Sequence, residues 1–204
     1  MGKPTDEQRV IIENANANNM VIAAPGSGKS FTMIEAVISI LRQFPYAKVG
    51  MVTFTRAATN SLAEKLKRRL SKKDQDRVLV NTFHGFIRMQ LDMVNWKGKM
   101  LISSAQRSVI HRALKESGAP FRYPDAEFAI DAIGREMDTD IISVRHTRQQ
   151  IHLFNTYQAI CQKDHVADLN ALSRFVVGQM YSGKMQPLNL THLVVDEVQD
   201  TDSI

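Results

Sequence analysis

The sequence predicts an α/β protein in which a parallel sheet is interrupted by an all-helical insertion. Three observations point there. Over the first eighty residues, short apolar runs alternate with helical patterns, as strands and crossover helices do in a parallel sheet. From about Phe86 to Tyr181 no strand pattern is found, while at least four helical patterns follow one another. Leu190 to Val195 then returns as an apolar strand ending in Asp196-Glu197. The expected division is therefore 1–86 for the first part of the sheet lobe, 87–186 for the inserted helical domain, and 187–204 for the returning strand.

The elements follow in order. Thr5, with Asp6, Glu7 and Gln8 behind it and apolar Val10, Ile11 and Ile12 next, reads as a capping box opening a helix. Met20 to Ala23 is a short apolar run, expected as a strand. A helical pattern places Met33, Ile34, Val37, Ile38 and Leu41 on one face and stops before Pro45. Lys48 to Phe54 reads as a buried strand, Ala57 to Leu70 as an amphipathic helix with Leu62, Leu66 and Leu70, and Val78 to Val80 as a third strand. In the helical block the patterns run over 84–94, 104–117 with Ser104 as N-cap, 125–137 and 147–161, with a fifth near 166–181. Gly118-Ala119-Pro120 and Tyr123-Pro124 punctuate it.

Composition sets the class. The chain has 204 residues and a net charge of 26 − 21 = +5, with 44% hydrophobic and 23% charged residues. That excludes collagen-like, low-complexity and fully disordered chains. No apolar run approaches the ~18 residues a membrane span needs. The polar start, Met-Gly-Lys-Pro-Thr-Asp-Glu-Gln, carries no secretory segment. Cys161 is the single cysteine, so an internal disulfide and a thiolate metal cluster are excluded; a reducing, cytoplasmic setting is expected. His111, His146, His152, His165 and His192 show no metal-ligand spacing and read as surface or packing residues.

The strongest chemistry lies at Ala24, Pro25, Gly26, Ser27, Gly28, Lys29 and Ser30. Counted from Ala23 this is A-x-x-x-x-G-K-S, a phosphate-binding loop with Ala in place of its first Gly. Small residues let successive backbone N–H groups turn toward phosphate oxygens, and the following helix adds its positive end. Lys29 supplies charge for the β- and γ-phosphates, and the Ser30 hydroxyl ligates Mg²⁺. Asp196 at the end of an apolar strand suits a magnesium site, and Glu197 beside it suits a base for the attacking water. Taken alone, those two acids are an ordinary strand end.

Other segments carry balanced readings. Gln8 serves equally as the fourth member of the capping box. Thr53-Phe54-Thr55-Arg56 and Asn81-Thr82-Phe83-His84 follow two strands, so in a parallel sheet they share one face with the phosphate loop. Hydroxyls there suit phosphates, and Phe and His suit unpaired bases; core packing is the rival for each Phe. The basic run Lys65, Lys67, Arg68, Arg69, Lys72, Lys73 reads mainly as a solvated helix face, with Lys65 and Arg69 pointing outward.

Together these motifs resemble the UvrD/Rep/PcrA-like superfamily 1A DNA helicases. Thr5 to Gln8 looks like the Q motif, Ala23 to Ser30 like motif I, and Thr53 to Ala58 like motif Ia. Thr82 to Phe86 looks like motif Ib, and Val195 to Thr201 like motif II. Tyr157 and Asp168-Leu169 fall where that family has a Tyr and a DFDDL-like run. The resemblance implies a RecA-like lobe with an inserted helical domain. It implies ATP and Mg²⁺ as ligands, with Gln8 reading adenine, Gly26, Gly28 and Lys29 on phosphates, and Ser30 and Asp196 on magnesium. Glu197 would be the catalytic base, Gln199 would sense the γ-phosphate, and Thr53, Phe54, Phe83 and His84 would touch single-stranded DNA.

There are departures from the family pattern. Phe31 replaces a common Arg, Val198 the usual Phe, Asp202 the usual Asn, and Arg56-Ala57 an Asn-Lys; the last leans toward RecB/AddA-type relatives. The sequence ends at Ile204, directly after motif II. The expectation is the N-terminal half of an ATP-dependent helicase, incomplete at its C-terminus and inactive as this chain alone. It would need the missing C-terminal helicase lobe or a partner protein. The rival is a non-catalytic nucleotide- or DNA-binding module acting through a partner.

Overall fold

The computed structural model describes residues 3–15, 17–136 and 139–198. In chain order its elements begin with α1 (Asp6–Glu13), α2 (Lys29–Gln43), β1 (Val49–Thr53), α3 (Arg56–Lys67), α4 (Lys72–Gln75) and β2 (Val78–Thr82). Next come α5 (Phe83–Met93), β3 (Lys99–Met100), α6 (Ser103–Ser117), α7 (Tyr123–Arg135), α8 (Thr139–Arg145), α9 (Arg148–Lys163), β4 (Val166–Ala167) and α10 (Leu169–Tyr181). The last is β5 (His192–Val195). They form two compact units, one reaching to Phe86 and resuming at Leu188, the other spanning Ile87–Pro187.

The first unit is built on a three-stranded parallel sheet in the order β2-β1-β5. Val49 stands opposite both Val78 and His192, which sets the register on either side. All five residues of β1 are buried, the pattern of a central parallel strand covered on both faces. Its Val49 and Met51 pack with Ile34, Val37, Ile38, Ile40 and Leu41 of α2 and with Leu62 and Leu66 of α3. Each such side chain contributes about 1.5–3 kcal/mol on burial. Because the strands are parallel, the segments after β1, β2 and β5 emerge at one edge of the sheet, and the candidate site is assembled there.

Two local devices fix this unit. Thr5 and Gln8 form the reciprocal capping box that the sequence predicts for α1. At the other end of α2, Arg77 donates to the carbonyls of Leu41, Phe44 and Ala47 and pairs with Asp74 at 2.9 Å. A guanidinium thus satisfies carbonyls that a helix C-terminus leaves open.

The structure corrects four expectations here. Met20–Ala23 is not a strand: among the described residues the sheet of the first unit consists of β1, β2 and β5, and backbone without a partner ladder is not held as a strand. Met20 and Ile22 are accordingly 81% and 92% exposed. Arg69 does not point outward but pairs with Glu35 of α2, each side chain 20% exposed. The helical block does contain strands, since β3 and β4 pair in parallel, Lys99 opposite Val166. Ser104 lies inside α6, whose N-cap is Ile102.

The second unit is otherwise helical. Val109, Ile110 and Ala113 of α6, Ala126 and Ile130 of α7, and Leu153, Tyr157 and Ile160 of α9 form its main core. A smaller cluster joins Leu91, Leu172, Val176 and Met185, with Trp96 packed against it. Asp168 is buried as the N-cap of α10, its Oδ1 accepting from the Ala171 N–H at 2.8 Å. Tyr157 and Asp168, singled out in the sequence, therefore have structural work in this unit.

Candidate functional site

The site begins with a loop that only glycine builds easily. Gly26 and Gly28 have φ of +79° and +85°, a region that costs other L-residues free energy. Nothing lies within 4 Å of where a Gly26 Cβ would stand, so that turn is open around its backbone. Gly28 is the N-cap of α2 and supplies no side-chain cap. The first N–H groups of a 15-residue helix therefore face the loop with their dipole.

Gln8 joins this loop from a distance. Its Oε1 accepts from the Thr5 N–H, closing the capping box, while its Nε2 donates to the Ser27 carbonyl at 2.9 Å. A Cβ on Gly28 would come within 2.9 Å of that nitrogen. One amide thus both caps α1 and braces the loop.

The acidic pair arrives from the far end of the chain. The Asp196 N–H donates to the Val52 carbonyl at 2.9 Å, fastening the segment after β5 to β1. Glu197 has φ +52°, an uncommon conformation for a non-glycine residue. Backbone of this kind clusters where structure serves function. The Lys29 ammonium donates to Glu197 Oε1 and lies 3.2 Å from Asp196 Oδ1. Hydrogen bonding to Glu197 in the first place, and the charge of Asp196 with it, holds the Lys29 ammonium above its ordinary pKa. Asp196 Oδ1 is buried and, beyond the Lys29 ion contact, makes no hydrogen bond.

The two strand-end segments divide. Thr53 is fully buried, its hydroxyl bonded to the Thr55 carbonyl at 3.1 Å and to Thr59 Oγ1 at 2.6 Å. Its side chain is therefore a core element that shapes the turn. Thr55 accepts from the Ala58 N–H as N-cap of α3. Phe54 is 58% exposed, and Arg56 is exposed beside it. Phe83 is half-buried at the start of α5, and His84 is exposed while desolvation by neighbouring protein lowers its basicity. Gln199 lies outside the described residues.

Lys29, Asp196, Glu197 and Gln8 are therefore brought together, and Ala24, Pro25, Ser27 and Ser30 belong to the same loop and helix start. Sequence reasoning missed the Gln8–Ser27 contact and the capture of Lys29 by Glu197. Neither has a local sequence signal, because the partners are 19 and 168 positions apart.

Comparison with known proteins follows the same lines. The family described as UvrD/REP helicase N-terminal domain matches residues 4–204. An ATP-dependent helicase/nuclease protein of Lactobacillus gasseri is 32% identical over 109 residues, 53% of this chain and 9% of that protein. Its namesake in Streptococcus pneumoniae is 39% identical over 75 residues, 36% of this chain and 6% of that protein. The ATP-dependent DNA helicase srs2 of Schizosaccharomyces pombe is 21% identical over 236 residues, 98% of this chain and 26% of that protein. The matched part thus spans between 6% and 26% of these relatives' length.

Proposed function

Because this chain belongs to the UvrD/REP helicase N-terminal domain family, we propose that it is the ATP-Mg²⁺- and single-stranded-DNA-binding N-terminal part of an ATP-dependent DNA helicase or translocase. In this reading the sheet unit is a RecA-like lobe and residues 87–186 are its inserted helical domain. The observation that carries the proposal is the meeting of Lys29 with Asp196 and Glu197. Three charged residues from opposite ends of the chain converge on one glycine-built loop.

The residues fit a nucleotide and its magnesium. The open turn at Gly26 and the uncapped start of α2 present N–H donors to phosphate oxygens. Lys29 would bind the β- and γ-phosphates, leaving its carboxylate partners to other tasks. Ser30 and Asp196, whose buried Oδ1 has the Lys29 ammonium as its ion contact, would hold magnesium, which when bound neutralises charge on the phosphates. Glu197 would orient the attacking water and accept its proton. Gln8, fixed by its own capping box, would present its amide edge to adenine, and Gln199 would sense the γ-phosphate.

Phe54, Arg56, Phe83 and His84 would take single-stranded DNA along the sheet edge, by stacking and by phosphate contact, with Thr55 shaping the turn. Fluorescence anisotropy with a labelled single-stranded oligonucleotide tests this part. The expected result is saturable binding that weakens with salt, as phosphate neutralisation requires. Absence of binding at low salt would refute the DNA-binding assignment.

A further inference from the structure

The helical unit holds a second place where chemistry gathers. A cavity of about 400 Å³ opens between the turn after α5 and the turn after α9, lined by Trp96, Lys97, Gly98, Cys161, Gln162 and His165 among others. We propose that this cavity binds an unpaired nucleobase of single-stranded DNA, stacked on Trp96 with its phosphate on Lys97. The proposal rests on the DNA-binding reading above and adds a contact on the helical unit that the motifs do not include.

The walls are built and braced. The Trp96 indole lies over Gly98, where an added Cβ would come within 2.2 Å of Cζ2; only glycine lets the ring sit there. The Trp96 backbone N–H donates to the Leu91 carbonyl at 3.1 Å, and Trp96 packs against the cluster of Leu91, Leu172, Val176 and Met185. The Lys99 N–H donates to the His165 carbonyl at 3.1 Å, which ties the two walls together. Both walls also turn through left-handed backbone, Asn95 at φ 54° and His165 at φ 53°. Among the described residues only three non-glycine residues do so; the third is Glu197 in the nucleotide site. Asn and His tolerate this region better than most residues, so the weight falls on two such turns bordering one cavity.

The chemistry selects a base. The partly exposed indole gives the cavity an aromatic wall on which a heterocycle can stack, and Gln162 adds an amide donor and acceptor. Lys97 brings positive charge to the rim, and Lys99 and Lys163 are exposed nearby in sequence. The neighbouring acid, Asp164, is already paired with Arg112. A metal site is disfavoured, since no group of three or more His, Cys, Asp or Glu side chains gathers among the described residues. Burial also pushes the Cys161 thiol up to about 11, which leaves it protonated at neutral pH and a poor nucleophile. The cavity has room for a base, and a flanking lysine favours a strand passing by over an uncharged nucleoside.

Trp96 is the only tryptophan in the chain, so its emission reports on this cavity alone. The experiment is a titration of the full chain with an unlabelled oligothymidylate, following tryptophan emission, beside an anisotropy titration with the labelled strand. The expected result is saturable quenching that tracks binding, and loss of quenching in Lys97→Glu. Trp96→Ala should weaken binding roughly 5- to 100-fold, the loss of one stacked base. Binding by anisotropy with unchanged emission would overturn the proposal and leave the sheet-edge DNA surface intact. Absence of binding in both titrations would overturn the two together. Quenching by thymidine monophosphate but not by the strand would also overturn it, assigning the cavity to a free nucleotide.

Discussion

The Lys29 ammonium is held by the carboxylate of Glu197, a residue 168 positions further along the chain. In the proposed mechanism both groups have other partners, phosphate for one and water for the other. The ion pair therefore keeps each in place and must be exchanged when nucleotide enters. The left-handed backbone at Glu197 is part of that arrangement.

Glu197→Gln removes the charge that competes for Lys29. ATP affinity of the chain is expected to stay the same or rise by a few-fold, as read by titration with a fluorescent ATP analogue. In any context where the chain hydrolyses ATP, the same variant loses about 10²–10⁴ of the rate, the usual cost of a missing general base. A clear fall in affinity would mean that Glu197 helps to hold nucleotide.

Replacing Phe83 and His84 together by Ala should weaken single-stranded DNA binding by anisotropy, with nucleotide affinity unchanged. Stacking contributes about 1–3 kcal/mol per base. Loss of the folded state, seen by circular dichroism with no separate loss of binding, would place both residues in the core.

Asp168→Ala should destabilise the helical unit by about 0.5–2 kcal/mol, the usual cost of losing an N-cap, while Asp168→Asn should cost less. Urea denaturation checks this, and nucleotide affinity is expected to be unaffected. Equal losses in both variants would show that the charge, not the cap, is what the site needs.

The buried thiol gives a pH signature. Burial moves Cys161 from 9.0 to about 11 in the folded chain, so the unfolded chain loses that proton first. Its contribution to stability is whole below pH 9 and is lost as pH rises toward 11. Denaturation midpoints of wild type and Cys161→Ala should diverge over that interval. Parallel curves would mean that the thiol is no more buried folded than unfolded.

Much of this was legible in the sequence because the signals were local. The capping box at Thr5 and Gln8, the apolar face of α2 and the all-apolar β1 each declare themselves within a few residues. What escaped depends on distant partners. Met20–Ala23 has the composition of a strand, yet strand identity requires a neighbour, and β5 pairs only with β1 among the described residues. Thr53 looks like a surface hydroxyl until Thr59 is seen to bond it. Arg69 has the spacing of an exposed face until Glu35 claims it. The pairs β3–β4 and Lys29–Glu197 join residues too far apart for periodicity to reveal.

In the proposed function, everything depends on the loop from Ala24 to Ser30 binding ATP-Mg²⁺ through Lys29. Its most direct test is titration of the chain with a fluorescent ATP analogue and magnesium, comparing wild type with Lys29→Ala at matched folded content. Saturable binding is expected for wild type and none measurable for the variant, with unchanged circular dichroism. Equal affinity in the two proteins would contradict it.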